Sequence, residues 1–139
     1  MNQDHSFRGR VFTGVGKGAY YVGNPGYKQS FLEKLGYVPF PGTLNLKLES
    51  SEDIERRKQL RLRPGIRIGG FEAGGETFSA LNCFNGTMKG VRVTLLIIDI
   101  THYDDTVMEL ISPAYLRREL SLKDGDVVET RIEEQPHPK

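Results

Sequence analysis

The sequence is poor in the features that mark several common classes of protein. It has one cysteine, Cys83, in 139 residues, which excludes an internal disulfide framework and a zinc site built from cysteines. Its longest strongly apolar stretch, residues 95–98, is far shorter than the roughly 18 residues of a membrane-spanning helix. Residues 1–10 are polar and charged, so we expect no secretory signal. These absences lead us to expect one cytoplasmic domain with no membrane association.

An excess of charge of one sign is also missing. The net charge is +1, from 19 basic and 18 acidic residues, which argues against a general binder of polyanions. The charges are nevertheless unevenly placed, because residues 1–69 hold 12 Lys and Arg against 6 Asp and Glu, whereas residues 70–139 hold 7 against 12. The basic half is consistent with phosphate contacts, and equally with charges that are simply solvated at the surface.

Hydrophobic patterning predicts a mainly β protein with two or three short helices. Strands are predicted in residues 11–13, 19–22, 43–48, 66–71, 77–80, 91–100, 107–111 and 127–132. Helices are predicted for residues 25–35, after the N-cap Asn24, for a charged and exposed segment at residues 51–60, and for a short segment capped by Ser112. Many short strands with tight turns and few helices indicate a small barrel. Residues 1–6 and 133–139 are expected to be frayed.

A glycine-rich loop, Gly14-Val15-Gly16-Lys17-Gly18, follows the first predicted strand. Glycines at alternate positions leave backbone N–H groups free to converge on an anion, and Lys17 would add positive charge. The loop lacks the Gly-Lys-Ser/Thr ending of a Walker A motif, and no helix pattern follows it. The motif therefore indicates either a phosphate-binding loop or an ordinary hairpin turn.

A second motif, Pro41-Gly42-Thr43-Leu44-Asn45, opens an alternating strand. The alternation places Thr43 and Asn45 on one face, with Cα atoms about 6.5 Å apart at about 3.3 Å per residue. Their neutral oxygens suit Mg²⁺, which usually completes its coordination with substrate phosphates and water. Without a carboxylate the protein alone would hold the metal weakly, so binding would depend on the nucleotide. The polar face of an ordinary edge strand would show the same pattern.

A carboxylate on an apolar strand is the third candidate. Glu109 lies in phase with Val107 and Ile111, where a charge is costly unless it has a partner. Glu109 is therefore a candidate ligand or a general base with a raised pKa. The alternative is that this face borders solvent.

The fourth candidate is the start of the last predicted helix, from Ser112 to Arg117. Free N–H groups and the positive end of the helix dipole suit an anion there. Arg117, one turn in, could hold a phosphate or a base edge. A packing helix with solvated arginines explains the segment equally well.

A run rich in basic residues, with Leu60 and Leu62 within it, invites a nucleic-acid interpretation: Arg56, Arg57, Lys58, Arg61, Arg63 and Arg67. No aromatic side chains accompany it to stack on bases. We therefore interpret the run as a solvated helix face.

The order of these motifs is more specific than any one of them. The glycine-rich loop, Tyr20-Tyr21, the stretch from Pro39 to Leu46, Thr101 with Glu109, and the segment around Arg117 follow one another in a way that resembles the archaeal-type CTP-dependent riboflavin kinases. The resemblance covers roughly residues 9–132 and is most specific at Pro-Gly-Thr-Leu-Asn. Ala19 stands where a basic residue is usual, and residues 82–89 match no part of the pattern and suggest a variable loop.

The resemblance implies a small six-stranded cradle-loop barrel, of the swapped-hairpin kind, that transfers a phosphoryl group from CTP to riboflavin, giving CDP and FMN with Mg²⁺. By motif match the nucleotide-binding residues would be Gly14, Val15, Gly16, Lys17, Gly18, Ala19, Ala114, Tyr115, Leu116 and Arg117. Thr43 and Asn45 would bind Mg²⁺, and Thr101 and Glu109 would contact the flavin. We add Glu109 as the candidate base for the ribityl 5′-hydroxyl. We expect a monomer with a single domain over residues 1–139.

Two other classes of function remain open on the sequence. A swapped-hairpin barrel that binds nucleic acid without catalysis would use the basic first half, although the near-zero net charge and the missing aromatic platform argue against it. A ligand-binding domain that has lost its activity is the other. Incubation with riboflavin, Mg²⁺ and either CTP or ATP distinguishes these two classes from each other and from the kinase.

Overall fold

The computed structural model describes residues 4–14, 16–101 and 103–133. Within these ranges the chain forms nine strands and four helices. The strands are β1 (Asp4–Phe12), β2 (Leu44–Leu48), β3 (Ile66–Ile68), β4 (Phe71–Ala73), β5 (Glu76–Phe78), β6 (Leu81–Met88), β7 (Val91–Ile98), β8 (Val107–Ile111) and β9 (Val127–Glu133). The helices are α1 (Gly18–Val22), α2 (Pro25–Leu35), α3 (Ser51–Leu60) and α4 (Leu116–Glu119).

Six of the strands close into an antiparallel barrel, which confirms the predicted fold class. Hydrogen-bonded neighbours run in the order β6-β7-β8-β2-β1-β9, and β9 pairs back onto β6. At this seam Gly86 is the register partner of Ile132, and a Cβ on residue 86 would collide with the carbonyl oxygen of Arg131. Glycine therefore permits the close approach that completes the barrel. β3 extends the sheet beyond β6, while β4 and β5 form a separate hairpin.

Strand β7 separates two apolar clusters, which confirms its predicted central position. Val93, Leu95 and Ile97 belong to the cluster that fills the barrel. Leu96 belongs to a second cluster, with Phe31 of α2 among its members. Because successive side chains of a strand point to opposite faces, β7 contributes to both clusters and excludes water on both sides. The candidate site described below lies on the outer of these two faces.

Helix α2 begins and ends where the sequence predicts. The side-chain oxygen of Asn24 accepts a hydrogen bond from the backbone N–H of Gly26 at 2.9 Å. Gly36 ends the helix with φ of +83°, a left-handed conformation that glycine adopts without strain. α2 is the longest of the helices with 11 residues, and no helix in the described ranges has the length and apolar character needed to cross a membrane.

Helix α3 has the predicted bounds, but the predicted exposure is wrong for three of its residues, Asp53, Arg57 and Leu60. Asp53 and Arg57 are only 7% and 3% exposed, and Leu60 is buried beside them. Each buried charge has a partner on a neighbouring strand. Asp53 accepts a hydrogen bond from the backbone N–H of Arg8 at 3.0 Å, and Arg57 donates to the carbonyl oxygen of Val107 at 3.2 Å. A charge can be buried when it is paired in this way, which the charge pattern of the helix does not reveal.

Two segments have a different secondary structure from the one predicted. Residues 19–22, predicted as a strand, lie within α1, where Val22 packs into the outer cluster. Burial of that side chain outweighs the local β propensity of the two tyrosines. Residues 82–89, interpreted as a variable loop, form most of β6. Asn82, Asn85 and Gly86 interrupt the apolar alternation there, which hides a strand that the barrel requires.

Two further predictions at element ends are wrong. Ser112 does not cap α4, whose N-cap is Tyr115; Ser112 instead donates a hydrogen bond from its hydroxyl to the carbonyl oxygen of Arg92 at 2.6 Å. Residues 4–6, predicted to be frayed, belong to β1 and pair with β9, and Glu133 is the last residue of β9. The predictions for residues 1–3 and 134–139 lie outside the described residues.

The hairpin predicted around Gly74 and Gly75 is confirmed as β4 and β5. Both glycines have positive φ, at 59° and 79°, as a tight hairpin turn requires. The strand predicted for residues 66–71 is divided, since β3 pairs with β6 whereas β4 pairs with β5. This division frees the hairpin from the barrel and lets it cover part of the outer cluster.

Candidate active site

A cavity of about 390 Å³ lies on the outer face of the barrel, beside α1, α2 and the β4–β5 hairpin. We call it the principal cavity. Tyr21, Tyr27, Phe31 and Phe78 form an aromatic wall, in which the rings of Tyr27 and Phe78 meet edge to face with centroids 5.7 Å apart. A preformed apolar pocket with a few polar groups at one end is the usual form of a small-molecule site.

The polar end of the principal cavity lies where β2 pairs with β8. Asn45 of β2 is the register partner of Glu109 of β8, so the two side chains share a face. Thr43 immediately precedes β2, and its hydroxyl donates a hydrogen bond to Asn45 Oδ1 at 3.2 Å. The structure thus brings Glu109 beside the Thr43 and Asn45 pair, from which it is widely separated in the sequence.

Glu109 is half-buried at this end of the cavity. Burial raises its pKa above the ordinary value, while the charge of Arg57 and the hydroxyl of Thr101 act in the opposite direction. Thr101 Oγ1 lies 3.5 Å from Glu109 Oε2. The two residues assigned to the flavin by resemblance are therefore neighbours, and the raised pKa has the direction that the sequence predicts.

The glycine-rich loop packs directly against the same polar end. A Cβ on residue 18 would lie 2.8 Å from Thr43 Oγ1 and 3.0 Å from its backbone nitrogen. A Cβ on residue 14 would overlap the Asn45 amide and the hydroxyl of Tyr103. Two of the three glycines are thus required by close approach rather than by turn geometry. Their spacing brings the backbone of the loop onto the Thr43 and Asn45 side chains.

The loop continues into α1, so the prediction that no helix follows it is wrong. Gly18 is the first residue of α1, Lys17 is its N-cap, and Gly16 has φ of +83°. Gly16, Lys17 and Gly18 all line the principal cavity. Ala19 lies in the first turn of α1, and Val15 lies outside the described residues.

A second cavity, of about 210 Å³, borders the first at Thr43, which lines both. The segment assigned to the nucleotide by resemblance forms one side of it: Ala114, Tyr115, Leu116 and Arg117. The ring of Tyr115 stacks on Phe40 with centroids 4.5 Å apart and planes at 11°. We call this the second cavity, and its walls combine this stacked pair with a basic side chain.

Arg117 is held at the rim of the second cavity by an ion pair. Its Nη2 lies 2.8 Å from Asp124 Oδ1. A hydrogen bond from the Thr13 hydroxyl, and then the one from Arg117, hold the pKa of Asp124 below the ordinary value. The charge of Arg117 at the rim of the second cavity is therefore already partly matched by Asp124.

The donor pair Thr43 and Asn45 fits a small divalent cation shared with a substrate. Their side-chain oxygens lie 3.2 Å apart, close to the separation of about 3.0 Å expected for neighbouring ligands of an octahedral Mg²⁺ ion. Both oxygens are neutral, and the described ranges contain no group of three or more His, Cys, Asp or Glu arranged to hold a metal. A cation here would need phosphate oxygens to complete and neutralise its coordination.

Several residues of the site carry no clear sequence signal. Tyr103 lines the principal cavity but reads in the sequence as part of a polar loop. The charge of Arg57 acts to lower the pKa of Glu109, against the larger effect of burial, yet in the sequence Arg57 is indistinguishable from the solvated arginines around it. Phe40 belongs to the quoted motif, yet only the fold shows that it stacks on Tyr115.

Comparison with known proteins gives one family match and a consistent group of relatives. The family model CTP-dep_RFKase, described as "Domain of unknown function DUF120", matches residues 11–132. Riboflavin kinases of Methanosarcina acetivorans and Archaeoglobus fulgidus are each 43% identical to this chain, over 91% and 90% of its length. The riboflavin kinase of Pyrobaculum aerophilum is 43% identical over 89% of the chain. The chain spans only 53%, 53% and 59% of these three relatives.

Proposed function

The chain belongs to the CTP-dependent riboflavin kinase family, and on that basis we propose that it transfers the γ-phosphoryl group of CTP to the ribityl 5′-hydroxyl of riboflavin. The products are CDP and FMN. The observation that carries the proposal is the position of Thr43 on the wall common to the two cavities. Phosphoryl transfer requires donor and acceptor to meet in line at one point, and two neighbouring cavities that share Thr43 as a lining residue support such a meeting there.

On the donor side, the second cavity would hold the nucleotide and the glycine-rich loop its phosphates. Backbone N–H groups of Gly16 and Gly18 would face the phosphate oxygens, because no side chain of the glycines obstructs them. Lys17 would add a positive charge at the rim of the principal cavity. Ala114, Tyr115, Leu116 and Arg117 would contact the nucleoside in the second cavity.

On the acceptor side, the principal cavity would hold riboflavin with its ribityl chain directed to the polar end. Its volume of about 390 Å³ lies within the roughly 300–1,000 Å³ range of small-molecule sites. The aromatic wall suits a planar tricyclic ring, because aromatic faces and edges pack well on each other. Thr101 and Glu109 would contact the polar chain, since both lie at the end next to Thr43.

Mg²⁺ bound by Thr43 and Asn45 would supply the positive charge that stabilises the transferring phosphoryl group. The two side chains would contribute only neutral oxygens and would orient the site rather than bind tightly by themselves. The remaining chemistry belongs to the protein. Backbone N–H groups of the loop would hold the phosphate, and the aromatic wall would hold the flavin ring in place.

Glu109 would take the proton of the ribityl 5′-hydroxyl. As the new bond forms between that oxygen and the γ-phosphorus, the bond from the γ-phosphorus to the bridging oxygen breaks and CDP leaves. A carboxylate whose pKa is raised by burial is a stronger base than an exposed one. Its position opposite Asn45 in the β2–β8 register would place the proton acceptor beside the proposed metal pair.

The test is incubation of the purified chain with riboflavin, Mg²⁺ and either CTP or ATP, with FMN separated chromatographically and measured by its fluorescence. FMN formed with CTP, in equal amount to CDP, supports the proposal, and a much lower yield with ATP supports the choice of donor. No FMN with either nucleotide contradicts it. A salt-dependent mobility shift of duplex DNA without FMN formation would favour the nucleic-acid-binding alternative.

A further inference from the structure

Arg57 of α3 and Arg61, the C-cap residue of the same helix, converge on one carboxylate in the connection between β7 and β8. Arg57 Nη1 donates to Asp105 Oδ1 at 3.2 Å, and Arg61 Nη2 donates to the same oxygen at 3.0 Å. The Arg57 side chain is 4% exposed and that of Asp105 25%. This is a sheltered ion cluster rather than a pair of surface charges. We call Arg57, Arg61 and Asp105 the α3 clamp.

The same arginines hold both ends of the connection. Arg61 Nη1 donates to the carbonyl oxygen of Ile98, the last residue of β7, at 3.4 Å. Arg57 Nε donates to the carbonyl oxygen of Val107, the first residue of β8, at 3.2 Å. A guanidinium group presents its N–H donors in fixed directions. The two groups therefore fix the connection at three points, namely its two ends and Asp105.

The burial of Arg57 makes this arrangement costly. Burial lowers the pKa of Arg57 to about 10, so the group stays charged at neutral pH and depends on Asp105 for compensation. Hydrophobic side chains of similar volume stabilise such a position at least as well as a buried ion pair does. Packing alone therefore does not explain the cluster. The directed hydrogen bonds of the clamp give the β7–β8 connection a defined position, which apolar packing would not do.

The connection carries two residues of the principal cavity wall. Thr101 and Tyr103 both line it, and the Tyr103 backbone N–H donates to Thr101 Oγ1 at 3.2 Å. The ring of Tyr103 meets that of Phe12 edge to face at 5.9 Å. Tyr103 is two residues from Asp105, so displacement of Asp105 moves the wall. Among the described residues that line either cavity, none belongs to the α3 clamp.

We propose that the α3 clamp is a positioning device that holds Thr101 and Tyr103 against the acceptor and so sets the affinity for it, without touching either substrate. The proposal rests on the proposed function, which identifies the acceptor as riboflavin. The second cavity, which the nucleoside would occupy, is lined by neither the clamp residues nor Thr101 and Tyr103, whereas the glycine-rich loop meets Tyr103 at Gly14. Disruption of the clamp should therefore change the KM for riboflavin more than the KM for CTP.

The test compares Asp105→Asn with the parent chain at saturating CTP and Mg²⁺. We expect the KM for riboflavin to rise about tenfold, while the KM for CTP changes by less than about threefold. Asp105→Glu keeps the charge and should recover part of the affinity. Amide hydrogen exchange of the peptide spanning residues 99–106 should accelerate in Asp105→Asn, with exchange of β1 and β9 unchanged.

Asp53→Asn is the matched control, because it removes the charge of a carboxylate of α3 that lies outside the clamp. Asp53 is a buried carboxylate that pairs with Arg56 at 2.6 Å and accepts from the Arg8 backbone N–H at 3.0 Å, away from the connection. The Asp53→Asn variant should be less stable than the parent chain, with the same KM for riboflavin. If both variants change KM and kcat alike, the clamp is only structural and the proposal is overturned.

The exchange measurement separates failure of this proposal from failure of the proposed function. If the parent chain forms no FMN, the proposed function fails, and the clamp is then tested by exchange alone. Faster exchange at residues 99–106 in Asp105→Asn but not in Asp53→Asn supports the positioning role. Unchanged exchange at these residues overturns it, whether or not the chain is an enzyme.

Discussion

Substitution of Gly18 by alanine tests whether the glycine-rich loop and the proposed metal pair act as one unit. The new Cβ would lie 2.8 Å from Thr43 Oγ1 and 3.0 Å from the Thr43 backbone nitrogen, where ordinary contacts begin at 3.4 Å. Either the loop or Thr43 must move by about half an ångström. Catalytic groups need placement within about 0.5 Å, and a displacement of 1 Å costs about 100-fold in rate. We therefore expect kcat to fall about tenfold.

Movement of Thr43 also predicts that a higher Mg²⁺ concentration is needed for activity. Because Thr43 Oγ1 is hydrogen-bonded to Asn45 Oδ1 at 3.2 Å, moving Thr43 alters the separation of the two proposed ligands. The half-saturating Mg²⁺ concentration should rise by about three- to tenfold in Gly18→Ala. The assay is the initial rate of FMN formation as Mg²⁺ is varied at saturating CTP and riboflavin.

Gly65→Ala is the control for general loss of stability. A Cβ on residue 65 would lie 2.9 Å from the Cys83 carbonyl oxygen and 2.9 Å from the Phe84 ring, a comparable steric conflict outside both cavities. This variant should lose thermal stability while its Mg²⁺ titration stays as in the parent chain. The reasoning is refuted if Gly18→Ala keeps the parent kcat and Mg²⁺ response, or if Gly65→Ala shows the same kinetic defect.

Three further outcomes are expected. Thr43→Ala and Asn45→Ala should each raise the half-saturating Mg²⁺ concentration about tenfold, and an unchanged titration would exclude that residue as a ligand. Glu109→Gln should lower kcat at least about 100-fold with little change in the KM for CTP; near-normal turnover would remove Glu109 from the role of base. Because burial raises the pKa of Glu109, the stability that its protonated form provides at low pH is lost as the pH rises through that raised pKa. Glu109→Gln should therefore have a higher Tm than the parent at pH 8 but not at pH 4, and an equal difference at both would contradict this.

The barrel could be predicted from the sequence because its strands carry regular patterns. β9 alternates without a break, with Val128, Thr130 and Ile132 buried, and β7 is apolar on both faces as a central strand must be. The sequence pattern does not predict β6, because polar residues and a glycine interrupt its apolar alternation. These residues, Asn82, Asn85 and Gly86, contact other strands of the sheet. Gly86 in particular is required by the closing contact with β9, which no local pattern can show.

The candidate site could be predicted as separate motifs but not as an assembly. Thr43, Asn45 and Glu109 each stood out by phase on a strand, yet their proximity depends on the β2–β8 register. The α3 clamp could not be predicted, because a buried arginine and an exposed one have the same sequence signature. Arg57 is buried only because the β7–β8 connection places Asp105 beside it.

The hydrophobic core fixes the register on which the proposed site depends. Leu44 pairs with Leu110 and Leu46 with Met108, and all four side chains are buried in the barrel interior. Shifting β2 against β8 by one residue would turn Leu44, Leu46 and Leu48, all buried in the barrel, outward and carry Asn45 into the core. At about 1.5–3 kcal/mol for each of these side chains, the shift would cost roughly 4.5–9 kcal/mol, comparable with the whole stability of a small domain. The juxtaposition of Asn45 and Glu109 is therefore as stable as the fold, and the α3 clamp extends this fixed geometry to the β7–β8 connection beside them.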